Sequence, residues 1–238
     1  MLFLHETHKV IGACADQFEA AYRDGWMPTL AEDDNARLLW YTNHAHGSGV
    51  SYNVITITAI ADAAWESLAR RAQTGDLRPW MRALDNLRHE VTGKILLPVE
   101  WSPPPHQAVD LTSVPIDGAT HPLSLFMEDT GWPCAPLDDY IRCWDEIYYR
   151  PLSQAPPGMR MLEIRACFQV AHGSYKRREA MLWQKIDASD NYAALVHLLA
   201  TDIPPEYRGP GSYMFDALKY RDQWESRLLR SSAWSPLY

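Results

Sequence analysis

The feature that most constrains the fold of this 238-residue chain is a pattern that occurs in it twice. The stretch HAHGSGVSYNVITITAI at 44–60 has a counterpart, VAHGSYKRREAMLWQKI, at 170–186. Upstream of these, LFLHETHKV at 2–10 corresponds to LSLFMEDT at 123–130. The matching fragments keep the same order along the chain. We therefore predict two copies of one structural unit.

Each copy shows the same succession of elements. An alternating strand is followed by an amphipathic helix, then by two strands separated by a turn, further helical sequence and a last strand. This β-α-β-β-α-β order is the ferredoxin-like unit, so the expected fold class is α+β. The expected domains are residues 1–104 and 121–238, joined by a Pro-rich linker at 105–120.

Some residues carry a likeness to a known superfamily. They are His5 and Glu6 in a polar first strand, Asp62 and Trp65 after a third strand, Trp80 in a helix, and the segment ILLPVEWSP. In this pattern the chain resembles the dimeric α/β-barrel superfamily and, within it, NIPSNAP-type proteins. The resemblance implies two sheets packed face to face as a pseudo-dimer, a barrel with helices outside, and a site in its interior or cleft.

Composition and charge exclude several classes of partner. The formal net charge is -8 and there is no run of basic residues, which argues against nucleic acid and anionic membranes. The four cysteines show no CxxC spacing, as expected for free thiols in a reducing cytoplasm. No apolar stretch is long enough to span a bilayer, so we expect a soluble cytoplasmic protein. The base rate among soluble proteins favours a homodimer.

His44 and His46 raise the question of a metal site. Two histidines at positions i and i+2 of a strand share a face and could ligate a metal if a carboxylate joined them. However, Val170 is the counterpart of His44 in the second copy, and no third ligand appears at a spacing typical of metal-binding motifs. We predict that His46-Gly47-Ser48 marks a hairpin turn, and we expect no bound metal.

Strand alternation predicts which side chains face the barrel interior. In the first strands these are Phe3, His5 and Thr7, with Ser124, Phe126 and Glu128 in the second copy. In the second strands they are Tyr41 and Asn43, with Glu163 and Arg165 in the second copy. The third strands, which include Trp183, give no clear orientation.

This predicted interior suits a small, largely apolar ligand held by a few polar groups. His5 is the candidate general acid or base, and Tyr41 and Asn43 are candidates to stabilise an anion. The candidate substrate-binding residues are Thr7, Phe126, Glu128, Glu163, Arg165 and Trp183. Two structural alternatives stand beside these roles: a hydrogen-bonded structural His5, and an ion pair between Glu128 and Arg165.

Three functions remain open. The first is an enzyme without a bound cofactor, using acid–base chemistry on a small hydrophobic or aromatic metabolite. Isomerases, cyclases, lyases and oxygenases all occur in the superfamily that the chain resembles. The second is a haem enzyme, with His89 or His197 on predicted helices as axial ligand. The third is a non-catalytic ligand-binding or interaction protein. A cavity beside His5 would favour the first, whereas a filled barrel would move the site elsewhere or favour the third.

Overall fold

The computed structural model describes most of the chain. The described residues are 1–103, 109–156, 160–174, 176–186, 196 and 205–238. The haem-ligand candidate His197 therefore lies outside the described residues. Within these ranges, no helix has both the length and the apolar character needed to cross a membrane.

The described residues form eight strands and seven α-helices. The strands are β1 (Leu2–Val10), β2 (Ala36–His44), β3 (Asn53–Ile60), β4 (Arg88–Pro98), β5 (Leu125–Pro133), β6 (Leu162–His172), β7 (Ala180–Ile186) and β8 (Arg221–Ser231). The helices are α1 (Ala15–Ala21), α2 (Met27–Leu30), α3 (Trp65–Thr74), α4 (Arg78–Asp85), α5 (Leu137–Trp144), α6 (Arg150–Gln154) and α7 (Tyr213–Asp216). A π-helical turn joins α1 to α2, and another joins α5 to α6.

The eight strands close into one antiparallel barrel in the order β1-β3-β2-β8-β5-β7-β6-β4. The first half (β1 to β4) has the order β4-β1-β3-β2, and the second half (β5 to β8) has the corresponding order β8-β5-β7-β6. Two short ladders join the halves: Asn43 pairs with Arg230, and Leu96 pairs with Val170. The predicted α+β barrel of ferredoxin-like sheets is confirmed.

Aromatic side chains from both halves fill one part of the barrel interior. The Trp183 ring lies 5.6 Å from Trp40 and 5.4 Å from Phe126, measured between ring centroids. Phe3 and Phe168 meet at 5.0 Å. Val109, Leu111 and Val114 pack against the same cluster, so the described part of the predicted linker contributes to the core. These side chains pack against one another as a buried core in this part of the barrel.

A bulge in each second strand reverses part of the predicted orientation. The register of β2 shifts between Leu38 and Trp40, and that of β6 shifts between Ile164 and Ala166. One extra residue turns every later side chain to the other face. Trp40 therefore packs inside the barrel, and Tyr41 packs outside against the helices. The expected inward orientation of Tyr41 and Asn43 is wrong for this reason.

The two HGS stretches form the predicted turns. Gly47 and Gly173 have φ values of 78° and 94°, a region that glycine enters without strain. The Ser48 hydroxyl donates to the carbonyl oxygen of Ala45 at 2.7 Å, and the Ser174 hydroxyl donates to that of Arg177 at 2.6 Å. Glycine conformation and serine hydrogen bonds thus account for this repeated motif.

We expect Trp183→Ala to lower the free energy of unfolding by about 3–5 kcal/mol, because it leaves a cavity among buried rings. Urea denaturation followed by circular dichroism measures the change. Trp65→Ala is the matched control, since Trp65 is 41% exposed and its loss should cost about 0.5 kcal/mol. Equal losses for the two variants would contradict the assigned packing.

Candidate functional site

Two of the predicted site residues meet inside the barrel. His5 on β1 and Glu128 on β5 approach to 2.7 Å between Nε2 and Oε2, with side chains 2% and 1% exposed. His5 and Glu128 occupy equivalent positions in the two halves of the chain. His5 pairs with Lys94 on β4, and Glu128 pairs with Arg227 on the equivalent strand β8. Glu128 therefore pairs with His5, and at 3.6 Å with Arg227, and not with Arg165 as the structural alternative proposed.

The charges around Glu128 decide its protonation. Burial alone would raise the pKa of this carboxyl group, but His5, Arg227 and Lys94 together outweigh burial and lower the pKa to about 2. The carboxylate is therefore ionised at neutral pH and accepts the hydrogen bond. His5 therefore donates from Nε2.

The remaining predicted binding residues are divided between the core and the surface. Phe126 and Trp183 belong to the aromatic filling of the barrel, and Thr7 lies on the same inward face of β1 as His5. Glu163 and Arg165 pair with each other at 3.2 Å, with side chains 37% and 29% exposed. Neither of them therefore belongs to the buried surroundings of His5.

Tyr41 and Asn43 lie outside the barrel, away from His5. The Tyr41 ring packs 4.8 Å from Trp234 and 5.4 Å from Tyr22. The Asn43 amide donates to the Ser232 hydroxyl at 3.2 Å. The predicted arrangement of His5 with these two residues is thus not present in this fold.

A cavity of about 270 Å³ lies elsewhere, between the outer face of the second sheet and its helices. We call it the outer cavity. Its wall is mostly apolar and includes Met127, Trp144, Leu152, Met161, Leu182 and Trp224. Polar residues also line it, namely Asp129, Tyr140, Tyr148, Arg221 and Ser226. An apolar cavity with a few polar groups has the makeup of a small-molecule site.

Asp129 is the carboxyl group of the outer cavity. Ser226 donates to its Oδ1, and the Gln184 amide donates to its Oδ2 at 2.8 Å. The Tyr148 hydroxyl in turn donates to Gln184 at 2.8 Å. Burial raises the pKa of Asp129, and these hydrogen bonds only partly offset the effect. A carboxyl group whose pKa is raised by burial can exchange a proton with a ligand.

Two donors in the wall have no partner. Among the described residues, neither the Tyr140 hydroxyl nor the Trp144 indole nitrogen finds a hydrogen-bond acceptor. The Tyr140 hydroxyl lies 2.2 Å from the place that a β-carbon on Gly131 would occupy. Only glycine at position 131 therefore lets this phenol approach the strand. An unsatisfied buried donor is costly, and functional sites are places where such groups occur.

The corresponding region of the first half also holds a cavity, lined by Glu6, Asp85 and Arg88 among others, but a histidine stands there where the second half has Gly131. By strand register His8 corresponds to Gly131, Glu6 to Asp129 and Arg88 to Arg221. The His8 ring lies 5.4 Å from that of Phe18, and its Nδ1 accepts from Arg88 at 2.8 Å. Burial lowers the pKa of His8, so the ring is neutral.

The sequence analysis missed Asp129, Gly131 and Arg221. The available signal was the glycine itself, since an isolated glycine inside a strand marks a close approach to the backbone. The two copies differ most in character at this position, where a histidine aligns with a glycine.

The haem and metal alternatives gain no support from the described residues. His89 lies near the start of β4 and is exposed, so its predicted place on a helix is wrong. The helical pattern failed there because the strand begins at Arg88, directly after α4. Within the described ranges, no three side chains of His, Cys, Asp or Glu are arranged to hold a metal ion.

Comparison with solved structures supports the architecture. A candidate monooxygenase from Lactobacillus acidophilus matches with a TM-score of 0.58 and 9% identity, covering 99% of this chain and 96% of its own. An anthrone oxidase-like protein matches with a TM-score of 0.52 and 10% identity, covering 97% and 91%. A NIPSNAP domain protein from Burkholderia xenovorans is 18% identical, covers 43% and 99%, and has a TM-score of 0.37.

Comparison at the level of sequence gives no match among family models or curated proteins. At the identities found, the solved structures establish a dimeric α/β-barrel fold only. The function must be inferred from the residues of the site.

The buried pair predicts a dependence of stability on pH. The folded pKa of Glu128, about 2, lies below the unfolded value of about 4.3, so its ionisation stabilises the fold above that value. The stabilisation is lost as the pH falls from about 5 towards 2. Over this window we expect the wild-type free energy of unfolding to fall about 3 kcal/mol more than that of Glu128→Gln.

Urea denaturation at a series of pH values between about 7 and 2 measures this difference. At pH 7 the variant should be about 3–5 kcal/mol less stable than wild type, because His5 loses its buried partner. Glu66→Gln is the control, since the Glu66 side chain is 75% exposed and should leave acid sensitivity unchanged. Parallel curves for wild type and Glu128→Gln would rule out the low pKa.

Proposed function

We propose that the protein is an enzyme that acts on a small hydrophobic or aromatic metabolite in the outer cavity, with Asp129 moving a proton. The observation that carries this proposal is the buried Asp129 carboxyl group, with its raised pKa, in the wall of a mostly apolar cavity. This keeps the ligand class and the acid–base chemistry expected from the sequence, but places both outside the barrel.

The filled barrel interior favours this location over His5. Both His5 and Glu128 are almost fully buried, and aromatic rings occupy the adjoining interior. One ring nitrogen of His5 is already hydrogen-bonded to Glu128. A substrate would have to displace core side chains to reach this pair, whereas the outer cavity already has room.

Proton transfer in the outer cavity begins with a bound ligand whose acidic hydrogen faces Asp129. Ser226 and Gln184 hold the carboxyl group in place, and Tyr148 orients Gln184. The apolar wall strengthens electrostatic interactions by keeping water away from the reacting atoms. Removal of a proton next to a carbonyl or from a phenol is the first step common to isomerisation, cyclisation, elimination and cofactor-independent oxygenation.

The names of two structural relatives agree with one of these reactions. One is called a monooxygenase and another anthrone oxidase-like, and both share the fold over nearly the whole chain. We therefore place oxygenation first among the reaction types to be tested. A non-catalytic binding protein is the alternative that the same test separates.

The test is a panel of phenols, naphthols and hydroxyquinones, with binding followed by ligand-observed NMR and consumption by mass spectrometry. Asp129→Asn should keep binding and lower turnover by about 10²–10⁴-fold, the range for loss of a general base. Leu182→Trp should abolish binding, because Leu182 lines the cavity and a larger ring fills it. Ile147→Trp, at a position 40% exposed, is the control.

His5→Gln distinguishes the two candidate sites. The proposal predicts turnover within a few-fold of wild type for this variant when it is folded. Loss of turnover in His5→Gln with normal turnover in Asp129→Asn would overturn the proposal and return the chemistry to the barrel. Binding without consumption of any compound would favour the non-catalytic alternative.

A further inference from the structure

Arg221 is a buried cation in the wall of the outer cavity. It begins β8 and is only 7% exposed. Its guanidinium carbon lies 4.6 Å from the centre of the Trp224 ring, and Tyr213 is its hydrogen-bonding neighbour. Among the described side chains, no carboxylate lies within ion-pairing distance of Arg221. Asp129 acts on Arg221 only at longer range than an ion pair. A buried arginine with no carboxylate in direct contact is costly, so this arrangement needs an explanation.

The corresponding arginine of the first half has both of its partners. Arg88 binds Asp85 at 2.5 Å and donates to Nδ1 of His8 at 2.8 Å. Arg221 has neither, since Leu218 stands three residues before it, where the first half has Asp85. Gly131 likewise replaces His8. The second half thus keeps the arginine and lacks both groups that satisfy it in the first half.

We infer that the ligand of the outer cavity is an apolar acid whose carboxylate binds Arg221, a substrate class that rests on the proposed function. The planar guanidinium matches a carboxylate with two parallel hydrogen bonds. The apolar wall around Met127, Leu182 and Trp224 would receive the hydrocarbon part. The ligand then supplies the acceptor that His8 and Asp85 supply to Arg88.

Benzoate and nitrobenzene test this inference, because they have the same shape and differ in charge. With wild-type protein at pH 7, NMR titration should give a dissociation constant about tenfold or more lower for benzoate than for nitrobenzene. In Arg221→Gln the preference should disappear while nitrobenzene binding remains. Arg221→Lys should keep part of the preference for benzoate. Arg230→Gln should keep the full preference, because Arg230 is an exposed residue on the same strand.

The outcomes separate the inference from the proposed function. If wild type binds the two compounds with equal affinity and Leu182→Trp binds neither, the inference that the ligand is an acid is overturned. The outer cavity would then remain the binding site. No binding of either compound to wild type would overturn the inference and the proposed site together. The wild-type comparison alone remains decisive if Arg221→Gln does not fold.

Discussion

Closure of the barrel through two short ladders, β2 with β8 and β4 with β6, is the constraint on which the rest of the structure depends. Each ladder joins only a few residues, so backbone hydrogen bonds alone hold the halves weakly together. The interior must therefore supply the remaining attraction. Packed rings do so in one part of the barrel, and the His5–Glu128 pair does so in another. A barrel used in this way has little room left inside for a ligand.

Much of the fold follows from alternation and repetition in the sequence. His5 and Glu128 were correctly placed on the inner face because β1 and β5 alternate without interruption through those positions. Tyr41 and Asn43 were misplaced because a bulge precedes them, and neither glycine nor proline marks it in the sequence. A one-residue slip is invisible to a pattern of period two, yet it reverses every side chain after it.

The outer cavity could not be predicted from the pattern of a single copy. Asp129 lies on the face of β5 that strand alternation assigns to apolar residues. A buried carboxyl group there is an exception to the rule that buried positions are apolar. In the first half Glu6 occupies the same position beside α3 and α4, and burial raises its pKa to about 7. The halves differ at this position in one side chain, His8 against Gly131, and the glycine lets the Tyr140 hydroxyl approach the strand.

The His5–Glu128 pair also separates this chain from an assembly of identical subunits. In a symmetric homodimer, a position next to the two-fold axis meets its own copy, so a histidine at this place would meet a histidine and a glutamate would meet a glutamate. An acid facing a base across the axis requires the two halves to have different sequences on one polypeptide. Covalent linkage therefore gives each half its own mutational freedom: one can be optimised for stability while the other specialises for a ligand.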